Sequence, residues 1–189
     1  MPYLAQDARA VLDRLAAGQP GRLAGHLDLA RVGAFGLSLG GLVTSEWCAT
    51  DARVRACLML DAPMARDARA GFGVPAMWIT RPAADMRSED WSEEEMRLYA
   101  EGQRALYELN RAPAWYAELA GRLHADLSDA PFGNRFLAFA GFTSASGWES
   151  THEVTRTLTA AFFERALVGR TSPVLDTSPW PDVTLAHRP

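Results

Sequence analysis

The chain has 189 residues, 48% hydrophobic and 22% charged, the balance of one globular domain with a core of its own. Its net charge of −4 argues against binding nucleic acid, since neutralising phosphates needs a basic face. All 19 basic residues are Arg, and the lack of Lys excludes a Walker-type phosphate loop, a Schiff-base amine and a Ser-Lys dyad.

The first predicted element is a helix over residues 3–16, with Leu4, Ala8, Val11, Leu12 and Leu15 along one face. Gly18, Pro20 and Gly21 end it. Arg31 to Leu37 is a short apolar run of strand length. Gly40 to Thr50 reads as a helix packed through Leu42, Val43 and Trp47. Val54 to Leu60 and Val74 to Thr80 are two more apolar runs, stopped by Asp61-Ala62-Pro63 and Arg81-Pro82. Runs apolar on both faces suit a parallel sheet covered by helices on both sides.

A helix over 92–109 opens on a capping box, Ser92 with Glu95, and its acidic residues gather in the first turn. Trp115 to Leu119 is a weaker strand candidate. Ala130 to Trp148 is aromatic and broken by Gly, and its rings read mainly as core. The last helix is predicted at 150–167, opened by Ser150 with Glu153 and capped by Gly169, with Val154, Leu158, Phe162 and Leu167 inward. The proline-bearing tail reads as extended chain. Strands alternating with helices define an α/β domain with right-handed crossovers.

The chemistry sits at Gly36-Leu37-Ser38-Leu39-Gly40, a G-x-S-x-G string with an apolar strand before it and a helix after it. In that context a tight turn lifts the Ser38 hydroxyl above the strand's carboxyl end, and Gly36 and Gly40 must be small. The helix N-terminus beneath offers N–H groups to a developing oxyanion, with the Leu39 N–H as the expected donor. Serine needs a base to take its proton. His26 precedes the nucleophile strand, His152 lies in the first turn of a helix, and His187 is in the tail. His124 follows a strand and comes last in the Ser, Asp, His order, so it is the expected base. Two acids can orient it: Asp61, at a strand's carboxyl end, or Asp85, after the next strand.

His124-Ala125-Asp126 has no second His or Cys at a supporting distance, so neither a metal nor another cofactor is expected. Cys48 and Cys57 are too few for a disulfide scaffold and read as buried free thiols. No run approaches the roughly 20 apolar residues of a membrane span, and residues 1–7 lack a signal-peptide pattern. The chain as written therefore reads as cytoplasmic, an expectation that an N-terminus further upstream would reverse.

Taken together, these residues resemble the α/β-hydrolase superfamily, and within it the platelet-activating-factor acetylhydrolase-like and dienelactone-hydrolase-like bacterial branch. Residues 31–41 look like its nucleophile elbow, and Leu58 to Pro63 like the strand end that supplies the acid, 23 residues after the serine. His124 to Pro131 looks like its histidine loop, and Phe162 to Pro181 like its closing segment. The resemblance implies the C-terminal part of an α/β-hydrolase fold: one N-terminally truncated domain over 1–189, with a parallel sheet of about four strands. It implies Asp61 rather than Asp85 as the acid. It also implies hydrolysis of a small-molecule carboxylic ester through an acyl-serine intermediate, with Leu37, Phe132 and Phe136 as candidate pocket residues.

Two departures from the pattern are visible. Leu37 stands where the elbow commonly has His, and residues 1–30 cannot supply the family's four preceding strands or its second oxyanion donor. The nucleophile strand would then be a sheet edge, which invites pairing and a two-fold homodimer. The competing expectation is a non-catalytic remnant that acts as a dimerising binding protein.

Overall fold

A computed structural model describes residues 2–18, 21–23, 25–64, 71–133, 136–145 and 147–189. Helix α1 (Pro2–Ala16) is followed by a 3-10 helix (Gly21–Leu23), β1 (Val32–Leu37), α2 (Leu39–Thr50), β2 (Val54–Leu60) and β3 (Ala76–Thr80). Then come α3 (Glu93–Leu109), β4 (Ala114–Leu119), the one-turn helices α4 (Ala130–Gly133) and α5 (Phe136–Phe139), α6 (Trp148–Phe163) and β5 (Val183–Arg188).

The sheet runs β1-β2-β3-β4-β5. Its first four strands are parallel, and β5 joins β4 antiparallel. Part of the tail read as extended chain is thus a fifth strand; its pairing partner is too distant in sequence for local pattern to reveal. β1 forms one edge, the position on which the dimer expectation rests.

Alternation along the strands sorts side chains to two faces. Leu58, Leu60, Met77, Ile79, Trp115 and Ala117 join Val154, Leu158 and Phe162 of α6 in one cluster. Cys57, Met59, Trp78 and Tyr116 pack with Leu106 and Tyr107 of α3 on the other. Burial on both faces explains why the strands read as continuous apolar runs.

Several local expectations are corrected. In α1 the buried residues are Ala5 and Leu12, while Leu4 and Val11 are exposed, so the inward stripe is rotated by about one position. Pro20 lies outside the described residues. In α2 the buried residues are the small Gly41, Thr44 and Ser45; Leu42 and Val43 are half-buried, while Trp47, also half-buried, packs against the α3-side core as expected. The Ser92 capping box is present, but α6 begins at Trp148 behind Gly147, at φ 85°, rather than at Ser150. Trp148 packs edge-on against Phe132, two residues before the expected start. α6 runs on into a π-helical turn, Glu164–Val168, and Gly169 caps that turn at φ 77°. Phe132, Phe136, Phe139 and Phe142 are exposed, not core.

The cysteines are not free thiols: Cys48 of α2 and Cys57 of β2 are joined by a disulfide. A helix packed on its own following strand brings the two together, a contact their number alone does not reveal. Closing a loop of 9 residues stabilises the fold by about 2.5 kcal/mol on chain-entropy grounds. Thermal melts with and without dithiothreitol should therefore differ in Tm by about 5–10 °C, oxidised protein higher.

Candidate active site

Ser38 sits between β1 and α2 at φ 55°, ψ −121°, a backbone conformation that is costly for a residue with a side chain. Three backbone hydrogen bonds hold the turn. The Ser38 N–H donates to the Leu60 carbonyl at 2.9 Å, and the Ser38 carbonyl accepts from the N–H groups of Gly41 and Leu42. A Cβ on Gly36 would lie 2.3 Å from the Gly40 carbonyl, and one on Gly41 would lie 2.4 Å from the Ala62 Cβ. A Cβ on Gly40 would meet nothing within 4 Å. The turn therefore needs small residues at 36 and 41, correcting the expectation for Gly40. Gly41 is where the elbow rests on the residue after Asp61.

The Leu39 N–H opens α2 and, among the described residues, has no backbone acceptor. The first N–H groups of a helix are left without intrahelical partners, so this donor can receive a developing negative charge.

Asp61 lies beside Ser38 because β1 and β2 are in register, Leu37 opposite Leu60. It too has a positive φ, 39°. The only other described non-Gly residue with positive φ is Asp90, which caps the 3-10 helix Ala83–Glu89. Strain beyond helix capping is thus confined to two of the three residues singled out for chemistry.

The Asp61 carboxylate is fully buried and held at both oxygens. Oδ2 accepts from the Arg81 Nε at 2.7 Å and faces the His124 Nδ1 at 2.6 Å. Oδ1 accepts from the Tyr99 hydroxyl and, at 3.4 Å, from the Thr80 hydroxyl. Burial pushes the carboxyl up, but the His124 hydrogen bond, the Arg81 charge and the Tyr99 hydroxyl outweigh it and hold it below the usual range. Burial and the nearby Asp61 charge push the Tyr99 phenol well up, so it remains a donor. Burial alone would lower Arg81, yet the carboxylates of Asp61 and Glu89 raise it further and keep it cationic.

His124 opens a 3-10 segment, His124–Leu127, after β4. With Nδ1 against a carboxylate, the proton sits on Nδ1 and Nε2 is left as an acceptor. The ring is about one-third exposed, so one side reaches solvent. Among the described residues no hydrogen bond joins it to the Ser38 hydroxyl. Such contacts often tighten only when substrate is present.

Asp85, the other acid candidate, accepts the Gly121 N–H at 2.7 Å and makes no contact with His124. His26 and His187 are exposed, and His187 stacks on Trp115. His152 packs against Phe132. Asp126 accepts from the N–H groups of Leu123 and Ser144, which ties the histidine segment to the loop before α6. Among the described residues no group of three His, Cys, Asp or Glu is placed to hold a metal.

A cavity of about 580 Å³ opens beyond this loop, lined by Pro131, Phe132, Phe139, Thr143, Ser144 and Trp148 among others. Of the candidate pocket residues, Phe132 lines it, while Phe136 and Leu37 do not. Leu37 packs against the α6-side core.

Arg81, Tyr99, Thr80 and Glu89 are site residues that sequence reasoning passed over. Thr80 ends β3 and Arg81 follows it, just as Asp61 follows β2, and that equivalence was the available signal. Tyr99 gave none, since one inward tyrosine on an amphipathic helix looks like core.

Comparison with known proteins agrees with this architecture. No protein-family model and no curated protein matches the chain. Among solved structures it is similar to a ferulic acid esterase from Streptomyces cinnamoneus at 2.4 Å resolution, with a TM-score of 0.74 and 26% sequence identity. The match covers 97% of this chain and 54% of that one, so the chain spans about half the esterase's length. The fold is that of the α/β-hydrolases, and the structural similarity runs through nearly the whole chain.

Proposed function

We propose that this chain carries the nucleophile, base and acid of a serine ester hydrolase. Ser38 attacks the ester carbonyl while the His124 Nε2 takes its proton; Asp61 holds the imidazole and stabilises the imidazolium that forms. The Leu39 N–H receives the oxyanion. Collapse breaks the ester C–O bond; the leaving alkoxide takes from His124 the proton that came from Ser38, departs as the alcohol and leaves an acyl-serine. Water, activated by the same histidine, then releases the acid. The observation that carries this reading is the 2.6 Å contact between the His124 Nδ1 and Asp61, whose strand holds the Ser38 turn.

The esterase similarity supports esters of aromatic acids as the first substrates to try. Among the described residues no helix is long and apolar enough to cross a membrane. The disulfide supports an oxidising compartment over the cytoplasmic alternative.

Active-site labelling separates this reading from a non-catalytic remnant. A fluorophosphonate probe should label the folded protein at Ser38, and Ser38→Ala should abolish the labelling. Folded wild-type protein that takes up no label would overturn the proposal.

A further inference from the structure

Beyond the three residues of the proposed mechanism, a second charged pair reaches His124. Arg81 is buried at the end of β3, and Glu89 ends the 3-10 helix Ala83–Glu89. The Arg81 Nε bonds Asp61 at 2.7 Å, on the same oxygen that faces His124. Its Nη1 donates to Glu89 at 2.9 Å and to the Arg122 carbonyl at 3.1 Å. The other Glu89 oxygen accepts the His124 N–H at 2.7 Å. The chain of contacts is closed: imidazole to Asp61, Asp61 to Arg81, Arg81 to Glu89, and Glu89 back to the histidine's own backbone.

We infer that Arg81 and Glu89 are a positioning pair that docks the histidine segment on Asp61 and, through their opposite charges, sets the pH range in which His124 acts as a base. The inference rests on the serine-hydrolase reading for its role in turnover, though not for its electrostatics. Arg81 competes with the imidazole for one carboxylate oxygen and disfavours a second positive charge there. Glu89 does the reverse, and its backbone contact fixes where the ring hangs.

The other charged or titratable groups around the histidine are few. Asp61 faces it from β2, with Tyr99 of α3 behind that carboxylate. On its own segment Arg122 pairs with Asp182, and Asp126 bonds Leu123 and Ser144. Asp85 is held on the Gly121 N–H. α6 packs on this segment through Val154 and Leu158 around Leu127, which carry no charge.

The test compares wild type, Arg81→Met, Arg81→Lys and Glu89→Gln. The kcat/KM for 4-nitrophenyl acetate is followed against pH, and the His124 ring is followed by ¹⁵N NMR, which needs no substrate. Arg81→Met should move the acidic limb and the NMR midpoint up by about one pH unit, and Glu89→Gln should move both down. Arg81→Lys should restore the wild-type position. Glu89→Gln preserves shape, so it decides the matter even where Arg81→Met fails to fold. Unchanged midpoints, or a Glu89→Gln midpoint that moves up, would overturn the inference. Displaced NMR midpoints in a protein that hydrolyses nothing would uphold the charged pair and remove the hydrolase reading instead.

Discussion

Removing Ser38 and His124 together should cost no more than removing either one. Ser38→Ala is expected to lower kcat for 4-nitrophenyl acetate on the order of 10⁶-fold, as is His124→Ala, and the double variant should fall no further. The reason is that the two groups act in a single step. A hydroxyl without a base is a weak nucleophile, and a base without the hydroxyl has no proton to take. Whatever turnover is left then comes from substrate binding and from the Leu39 N–H. Steady-state kinetics on the three proteins, each shown to be folded by circular dichroism, make the comparison. Losses that add in the double variant would mean that the two residues serve separate steps, and the proposed mechanism would fail.

Much of the architecture could be read from the chain because its signals are local. Four parallel strands appear as apolar runs, and α3 announces itself by its capping box. The candidate nucleophile was legible for the same reason: an elbow needs small residues at fixed offsets, and these lie within one short string. Even there the detail depended on what approaches from elsewhere. Gly41, not Gly40, is crowded, because Ala62 of the next strand end leans on it. What could not be read is what depends on distant pairing. β5 lies 64 residues beyond the end of β4, so its apolar and polar residues gave no hint of a partner. The Cys48–Cys57 disulfide and the Arg81–Glu89 pair were hidden likewise: each is a spatial meeting of elements, not a spacing. The choice between Asp61 and Asp85 falls between these cases. Both end up near the same loop, but Asp85 spends its carboxylate on the Gly121 backbone and only Asp61 reaches the imidazole.

Asp61→Asn should injure both turnover and stability, for separable reasons. An amide in place of the carboxylate no longer fixes the Nδ1–H tautomer of His124 or balances the imidazolium, and kcat should fall on the order of 10⁴-fold. Asp85→Asn should leave kcat unchanged. The stability loss comes from Arg81, which would keep only Glu89 as a charged partner in a buried site. Stripping one member of a buried ion pair costs about 3 kcal/mol or more. The pH dependence then identifies the cause. Asp61 titrates below the ordinary value of 3.8 when folded, so its contribution is complete above about pH 3.8 and is lost as pH falls through the lower folded value. Wild type and Asp61→Asn should therefore melt far apart at neutral pH and draw together in acid. A gap in Tm that stays constant as pH drops below 3.8 would show that Asn disturbs packing rather than charge. It would remove Asp61 as the carboxylate on which both Arg81 and His124 depend.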